Sequence, residues 1–227
     1  MGQCIFGYCK WAEYRQKLVL YETPLLLFGL DGKLGQHVNE AFLASGLDAE
    51  PTEMMFSEIE RIERLLKQLL MYSHPMPLSP FQFNLHLLLD IVIGFERSSQ
   101  PELKFVPHYD PSLPEIEADQ DKLHQVFLNL VRNASEVSPP LGCVTVRTRH
   151  CARWELAGTN LDPGLRYILV SIEDEGPGIP EELRKNLFKP LYTTKKRGTG
   201  LGLSISFRLI ESHCGQLRYL PGDKKGA

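Results

Sequence analysis

Residues 121–137, Asp-Lys-Leu-His-Gln-Val-Phe-Leu-Asn-Leu-Val-Arg-Asn-Ala-Ser-Glu-Val, carry the reading that decides the fold. Leu123, Val126, Phe127, Leu130, Val131, Ala134 and Val137 recur at helical spacing and make one wide apolar face. Asp119 or Asp121 opens this helix, and Pro139-Pro140 stops it near Val137. Asn129 and Asn133 stand at i,i+4 on the flank of the apolar face. Asparagine is a poor helix former, so a mid-helix pair calls for a reason. One reading is two ordinary polar positions. The other is a pair of carboxamide oxygens, hard neutral ligands suited to a magnesium ion that also touches phosphates.

The flanking sequence alternates between helical and strand-like stretches. Upstream, Phe81 to Phe95 reads as a buried helix, and Leu103 to Tyr109 as a strand ended by Asp110-Pro111. Downstream, Cys143 to Arg149 and Tyr167 to Glu173 are β-branched and alternating, with a hairpin loop over Trp154 to Gly164 between them. Leu201 to His213 reads as a helix stopped by Gly215, followed by a strand through Leu220. These elements predict an α+β layer, one sheet with helices over one face.

Three further stretches bear on chemistry. Asp174-Glu-Gly-Pro-Gly-Ile-Pro follows a strand. Gly176 and Gly178 relax its backbone, Asp174 can accept a hydrogen bond from an exocyclic amine such as that of adenine, and Ile179 can line a flat apolar slot. Gly198-Thr-Gly-Leu-Gly-Leu-Ser opens a helix, where backbone N–H groups and the helix dipole favour phosphate. It is neither a Walker loop nor a Rossmann fingerprint, because no Gly-Lys-Ser/Thr follows and its spacing is G-x-G-x-G. Between the two glycine loops lie Phe188, Thr193, Thr194, Lys195, Lys196 and Arg197. This segment reads as a lid whose basic end neutralises phosphate charge, or as a solvated basic loop.

The bulk numbers exclude some function classes. With 227 residues and a formal net charge of -3, the chain has no overall positive field that argues for nucleic acid or an anionic membrane. Five cysteines without a C-x-x-C pair read as thiols in a reducing cytoplasm. No apolar run reaches the ~18–20 residues of a membrane span, and the start carries no evident secretory signal.

Residues 1–52 sustain neither a helical nor a strand period and form a poorly defined N-terminal segment. From Thr52 the pattern changes: Met55, Ile59, Ile62, Leu66 and Leu69 form a heptad seam, with Glu60–Arg64 and Glu63–Lys67 in the favourable i,i+4 order. This is either an amphipathic helix packed on its own domain or one strand of a bundle shared by two subunits. The charged outer faces favour the second. Ser73-His-Pro-Met-Pro-Leu-Ser-Pro marks a corner. The predicted division is therefore 1–52, a dimerisation-type helix over 53–75, and a catalytic domain over 76–227.

In combination, N-L-V-R-N-A (129–134), D-E-G-P-G-I (174–179), L-F-K-P-L-Y-T-T-K (187–195) and G-T-G-L-G-L (198–203) resemble the N, G1, F and G2 boxes of sensor histidine kinases. That family belongs to the ATPase superfamily of gyrase, Hsp90 and MutL, and the wording is most similar to the NtrB-type nitrogen-regulatory kinases. The resemblance covers about residues 53–222 and implies an α/β sandwich of a mixed sheet and three main helices, preceded by a helical dimerisation segment. It implies Mg-ATP as ligand, with Asn133 on the magnesium and Asn129 supporting the metal or the phosphates. Asp174 would read adenine. Gly176, Gly178, Ile179, Phe188, Thr193, Thr194, Lys195, Gly198, Thr199, Gly200, Leu201, Gly202 and Leu203 would enclose the nucleotide. It further implies a cytoplasmic homodimer through residues 53–72 and a response-regulator receiver domain as partner.

Two departures from the family pattern stand out. No H-E-x-x-x-P-like box is found. The nearest match, Tyr21-Glu-Thr-Pro-Leu, has no histidine, and His37 lies in unrelated surroundings, so the phosphoacceptor is unknown. Family members continue with G-T-x-F and a last strand, whereas this chain reads Leu220-Pro-Gly-Asp-Lys-Lys-Gly-Ala, which suggests a truncated or frame-shifted kinase. The expected activity is phosphoryl transfer to a histidine and then to a regulator. The competing expectation is an ATP-binding pseudokinase or regulatory module without autophosphorylation. A gyrase-like ATPase fits less well, because an asparagine at 129 cannot act as a general base where those relatives carry glutamate.

Overall fold

The computed structural model describes residues 2–8, 77–195 and 198–221. Strand β1 is Gly2–Tyr8. Strand β2 (Phe81–Phe83) leads into helix α1 (Leu85–Ser99), then β3 (Lys104–His108) and β4 (Ile116–Ala118). Helix α2 (Gln120–Val137) is followed by β5 (Cys143–His150) and β6 (Arg166–Glu173). The short α3 (Glu181–Arg184), helix α4 (Gly202–Ser212) and β7 (Gln216–Tyr219) complete the described chain.

The main sheet runs β3-β5-β6-β1-β7. β3 and β5 are parallel, with Phe105 opposite Val144. β5 and β6 are antiparallel, with Val146 opposite Ile172. β1 lies antiparallel to both β6 and β7, so Cys4 faces Val170 on one side and Leu217 on the other. The mixed sheet and its three long helices agree with the expected sandwich. Residues 9–76, and with them His37 and the heptad seam, lie outside the described residues.

Local sequence explains the helix starts. Asp119 caps α2 by accepting from the Lys122 amide at 3.1 Å, as its aspartate suggests. Asn84 caps α1 by accepting from the amides of His86 at 2.8 Å and Leu87 at 3.4 Å. The helix expected from Phe81 therefore begins at Leu85, because Phe81–Phe83 pairs with Ile116–Ala118 in a separate two-stranded sheet. Nor is α1 buried all round. Leu85, Leu88, Leu89, Val92 and Ile93 face the core, while Leu87, Ile91 and Phe95 are exposed.

Helix α2 is the centre of the domain. It packs between α1 and α4 and also touches β5 and β6. Leu123, Val126, Phe127, Leu130, Val131 and Ala134 are buried, as the apolar face requires, but Val137, expected in the same face, is exposed at the end of the helix. Burying such a side chain contributes about 1.5–3 kcal/mol, so this face dominates the cohesion of the layer. Two polar ties fix its angle. On the α1 side, buried Glu96 accepts from Arg132 Nε at 3.0 Å and from Ser135 Oγ at 3.3 Å. On the α4 side, the Asp119 amide donates to His213 Nε2 at 3.2 Å, and His213 Nδ1 donates to Leu209 O at 2.7 Å. The opposite face of the sheet is covered by residues 151–165, where Leu156 packs on Tyr167 and Leu169.

Candidate functional site

Strand β6 ends at Glu173 opposite Thr145, near the start of β5, so Asp174 and the loop after it leave the sheet at that end. Tyr219, the last residue of β7, reaches the same end by its pairing with Gly2, which also faces Ile172. The C-terminal half of α2 runs past this corner. Each of the other three motifs touches it.

Asp174 Oδ1 accepts from the Gly176 amide at 2.9 Å and shapes the turn. A Cβ on Gly176 would stand 2.9 Å from both Val137 Cγ2 and Val137 O, so the loop packs on the end of α2 only with glycine there. Gly178 has φ +75°, the left-handed region. The Ile179 amide donates to Tyr219 Oη at 3.1 Å, and Arg184 Nε donates to Ile179 O at 2.9 Å. Arg184 also lies 5.5 Å over the Tyr219 ring. Ile179 is thus fixed through both of its backbone polar groups.

The segment from Phe188 to Lys195 lies between the two glycine loops. Phe188 packs on Phe207 of α4 with ring centroids 5.2 Å apart. Leu191 holds φ 62°, an uncommon conformation for a side-chain-bearing residue. Gly200, at φ +67°, lies against it: an added Cβ would stand 2.5 Å from Leu191 C and 2.7 Å from Tyr192 N. Thr193 Oγ1 accepts from the Lys195 amide at 3.1 Å, and a Cβ on Gly198 would press on that hydroxyl. Thr194 is exposed, and Lys196 and Arg197 lie outside the described residues.

The two asparagines make different contacts. Asn129 Nδ2 donates to Ser206 Oγ at 2.9 Å, and its Oδ1 lies where a Cβ on Gly202 would be. It therefore holds the start of α4 against α2. Asn133 Oδ1 accepts from Lys195 Nζ at 2.8 Å. The same ammonium pairs with Glu136 Oε2. The Thr199 hydroxyl accepts from the Leu201 amide at 3.3 Å, Leu201 is buried, and Leu203 is half-buried on α4.

The structure thus brings Gly176, Lys195 and Gly202 against Val137, Asn133 and Asn129 on one stretch of α2, with Asp174 in the turn of Gly176 and Gly200 against Leu191. Sequence reasoning missed Ser206, Tyr219, Arg184 and Glu136. Of these only Glu136 carried a local signal, as an acid three residues after Asn133 on the same helix. Hard oxygens from Asn133 and Glu136 already meet a single cation, the Lys195 ammonium, so this side-chain set fits a hard divalent ion. Among the described residues, no cluster of three or more His, Cys, Asp or Glu side chains offers a site for a metal held by the protein alone. No described helix is long and apolar enough to cross a membrane.

Residues 118–227 match the family model described as histidine kinase-, DNA gyrase B- and HSP90-like ATPase. The chain is 36% identical over 176 residues to the sensory histidine kinase/phosphatase NtrB of Azospirillum brasilense, an alignment covering 74% of this chain and 43% of that protein. It is 36% identical over 173 residues to NtrB of Klebsiella oxytoca, covering 75% of this chain and 48% of the relative. The chain therefore spans less than half the length of these curated relatives. Among solved structures, histidine kinase ThkA in complex with the response regulator protein TrrA aligns with TM-score 0.52 at 25% identity, over 80% of this chain and 50% of that one.

Proposed function

We propose that this chain, whose residues 118–227 match the histidine kinase-, DNA gyrase B- and HSP90-like ATPase family model, binds Mg-ATP as the catalytic domain of a histidine protein kinase. The γ-phosphoryl group passes to a histidine and then to an aspartate of a response-regulator receiver domain. The likeness to NtrB, named a sensory histidine kinase/phosphatase, supports this reading over a hydrolytic one. The observation that carries it is the convergence of the asparagine helix, both glycine loops and Lys195 on residues 129–137.

Each residue has a role in this reading. Asp174 accepts from the exocyclic amine of adenine while its turn is kept by Gly176. Ile179, held by Tyr219 and Arg184, lines the base slot. The amides of Thr199, Gly200 and Gly202 would meet phosphate oxygens at the start of α4, while those of Gly198 and Leu201 donate to Lys195 O and Thr199 Oγ1. Asn129 braces that start through Ser206, so it positions the loop. Lys195 supplies a point charge for phosphate, a familiar use of lysine. Asn133 holds the magnesium, which when bound neutralises phosphate charge. A carboxamide at 129 takes no proton from water, so the pocket favours transfer over hydrolysis. Residues 53–72 join two such chains in a homodimer, and the reaction runs in the cytoplasm, where ATP is available.

The test is incubation of the chain with γ-labelled ATP and magnesium, beside a His37→Gln variant. An acid-labile, base-stable label that passes to a receiver domain is the expected result. No label in either protein under any divalent metal, with nucleotide binding intact, overturns the kinase reading. Loss of label in the variant alone assigns the acceptor to His37.

A further inference from the structure

We propose that Asn133 and Glu136 form one divalent-cation site on α2, and that Lys195 is its built-in competitor. The inference rests on the nucleotide reading above and adds a metal partner, Glu136, and an exchange step. Residues 133 and 136 stand at i,i+3, so their side chains are neighbours on the helix surface. Lys195 Nζ lies 2.8 Å from Asn133 Oδ1 and also contacts Glu136 Oε2. One small cation thus touches both oxygens, which puts the two within the coordination reach of a single ion. The ammonium is a stand-in for that ion.

Charge and exposure decide which cation prevails. The Lys195–Glu136 pair is open to solvent, at 39% and 42% exposure. Such pairs contribute only about 0–1 kcal/mol, so a doubly charged ion carried in on phosphates displaces the lysine readily. Glu136 adds an anionic hard oxygen to the neutral amide oxygen of Asn133, which strengthens a site for magnesium or manganese. The displaced ammonium then turns to the phosphates that brought the metal. Because the Lys195 amide donates to Thr193 Oγ1, the backbone from Thr193 to Lys195 follows the lysine. The metal and Lys195 therefore exchange places in one step. Asn129, engaged with Ser206, remains a brace for α4 throughout.

The test measures ADP affinity by calorimetry, in EDTA and in saturating Mn2+, for the wild type, Glu136→Gln and Lys195→Met. The ratio of the two dissociation constants isolates what the metal adds. In E136Q this ratio falls about tenfold or more, the lower range for loss of a metal partner. In K195M affinity in EDTA stays near that of the wild type, because without metal the ammonium rests on Asn133 and Glu136, and affinity in Mn2+ drops with the lost phosphate contact, so the ratio falls. Both residues are exposed, and unchanged thermal unfolding confirms the fold of each variant. A ratio in both variants equal to that of the wild type overturns the proposal. So does a higher ratio in E136Q, which is the outcome if Glu136 merely holds Lys195 in the metal's way. Absence of ADP binding by the wild type in both EDTA and Mn2+ overturns the nucleotide reading and this proposal with it. Binding with an unshifted ratio overturns this proposal alone.

Discussion

Gly200→Ala puts the site geometry under direct strain. Gly200 has φ +67°, where an alanine costs about 1–2 kcal/mol. Its new Cβ would stand 2.5 Å from Leu191 C, 2.7 Å from Tyr192 N and 2.8 Å from Leu191 Cα. These are backbone atoms and cannot rotate away, so overpacking adds about 1–3 kcal/mol. The combined strain of about 2–5 kcal/mol has a local outlet. The turn at Leu191–Tyr192, itself strained by Leu191 at φ 62°, can lift from the glycine loop without opening the core. Global stability therefore falls by less than the full strain, while nucleotide binding must restore the contact. If about 1.4 kcal/mol of the strain is met on binding, affinity falls about tenfold. Calorimetry with Mg-ADP and a urea denaturation curve read both quantities. A G200A protein that matches the wild type in ADP affinity and in unfolding midpoint would refute this reasoning.

Three further outcomes follow from other parts of the molecule. Gly94→Ala, in α1 with nothing within 4 Å of an added Cβ, raises stability by about 0.5–1 kcal/mol in the same denaturation assay, and a loss there would contradict the helix placement. Glu96→Ala removes the acceptor that holds Arg132 and Ser135, and leaves buried Ser135 with one partner fewer. It lowers unfolding free energy by about 1–3 kcal/mol, and a change below about 0.5 kcal/mol shows that the tie is idle. His213 is buried, and burial holds its pKa below 6.5. The unfolded chain binds the proton first, so stability is full above about pH 6.5 and falls as pH drops below it, by at most about 1.4 kcal/mol per pH unit. His213→Gln flattens that acid limb, and parallel curves for the two proteins would refute the assignment.

Much of this fold was legible because its elements repeat locally. The apolar face of α2 survived in detail, since a 3.6-residue period needs only one helix to be read. Asp119 as its cap, and Pro139 beyond its end, were equally local signals. β1 was not legible: its backbone pairs with Val170 and Leu217, partners far away in sequence, and Gly2-Gln-Cys-Ile-Phe-Gly-Tyr does not alternate apolar with polar residues. β2 and β4, three residues each, are too short to show a period. The glycine positions of the site were readable, but not what each glycine clears. Gly202 accommodates Asn129, and Gly176 accommodates Val137, contacts that only tertiary packing creates. Ser206 and Tyr219 joined the site in the same way, across 77 and 40 residues of chain.

The account stands most directly on the claim that one nucleotide pocket forms around residues 129–137. Amide NMR spectra of the chain, recorded during titration with Mg-ADP, test it residue by residue. The predicted result is saturable shifts confined to residues 129–137, 174–179 and 191–204, with Arg147 to His150 at the far end of β5 unmoved. Shifts centred on that far end, or none at all at saturating nucleotide, would contradict it.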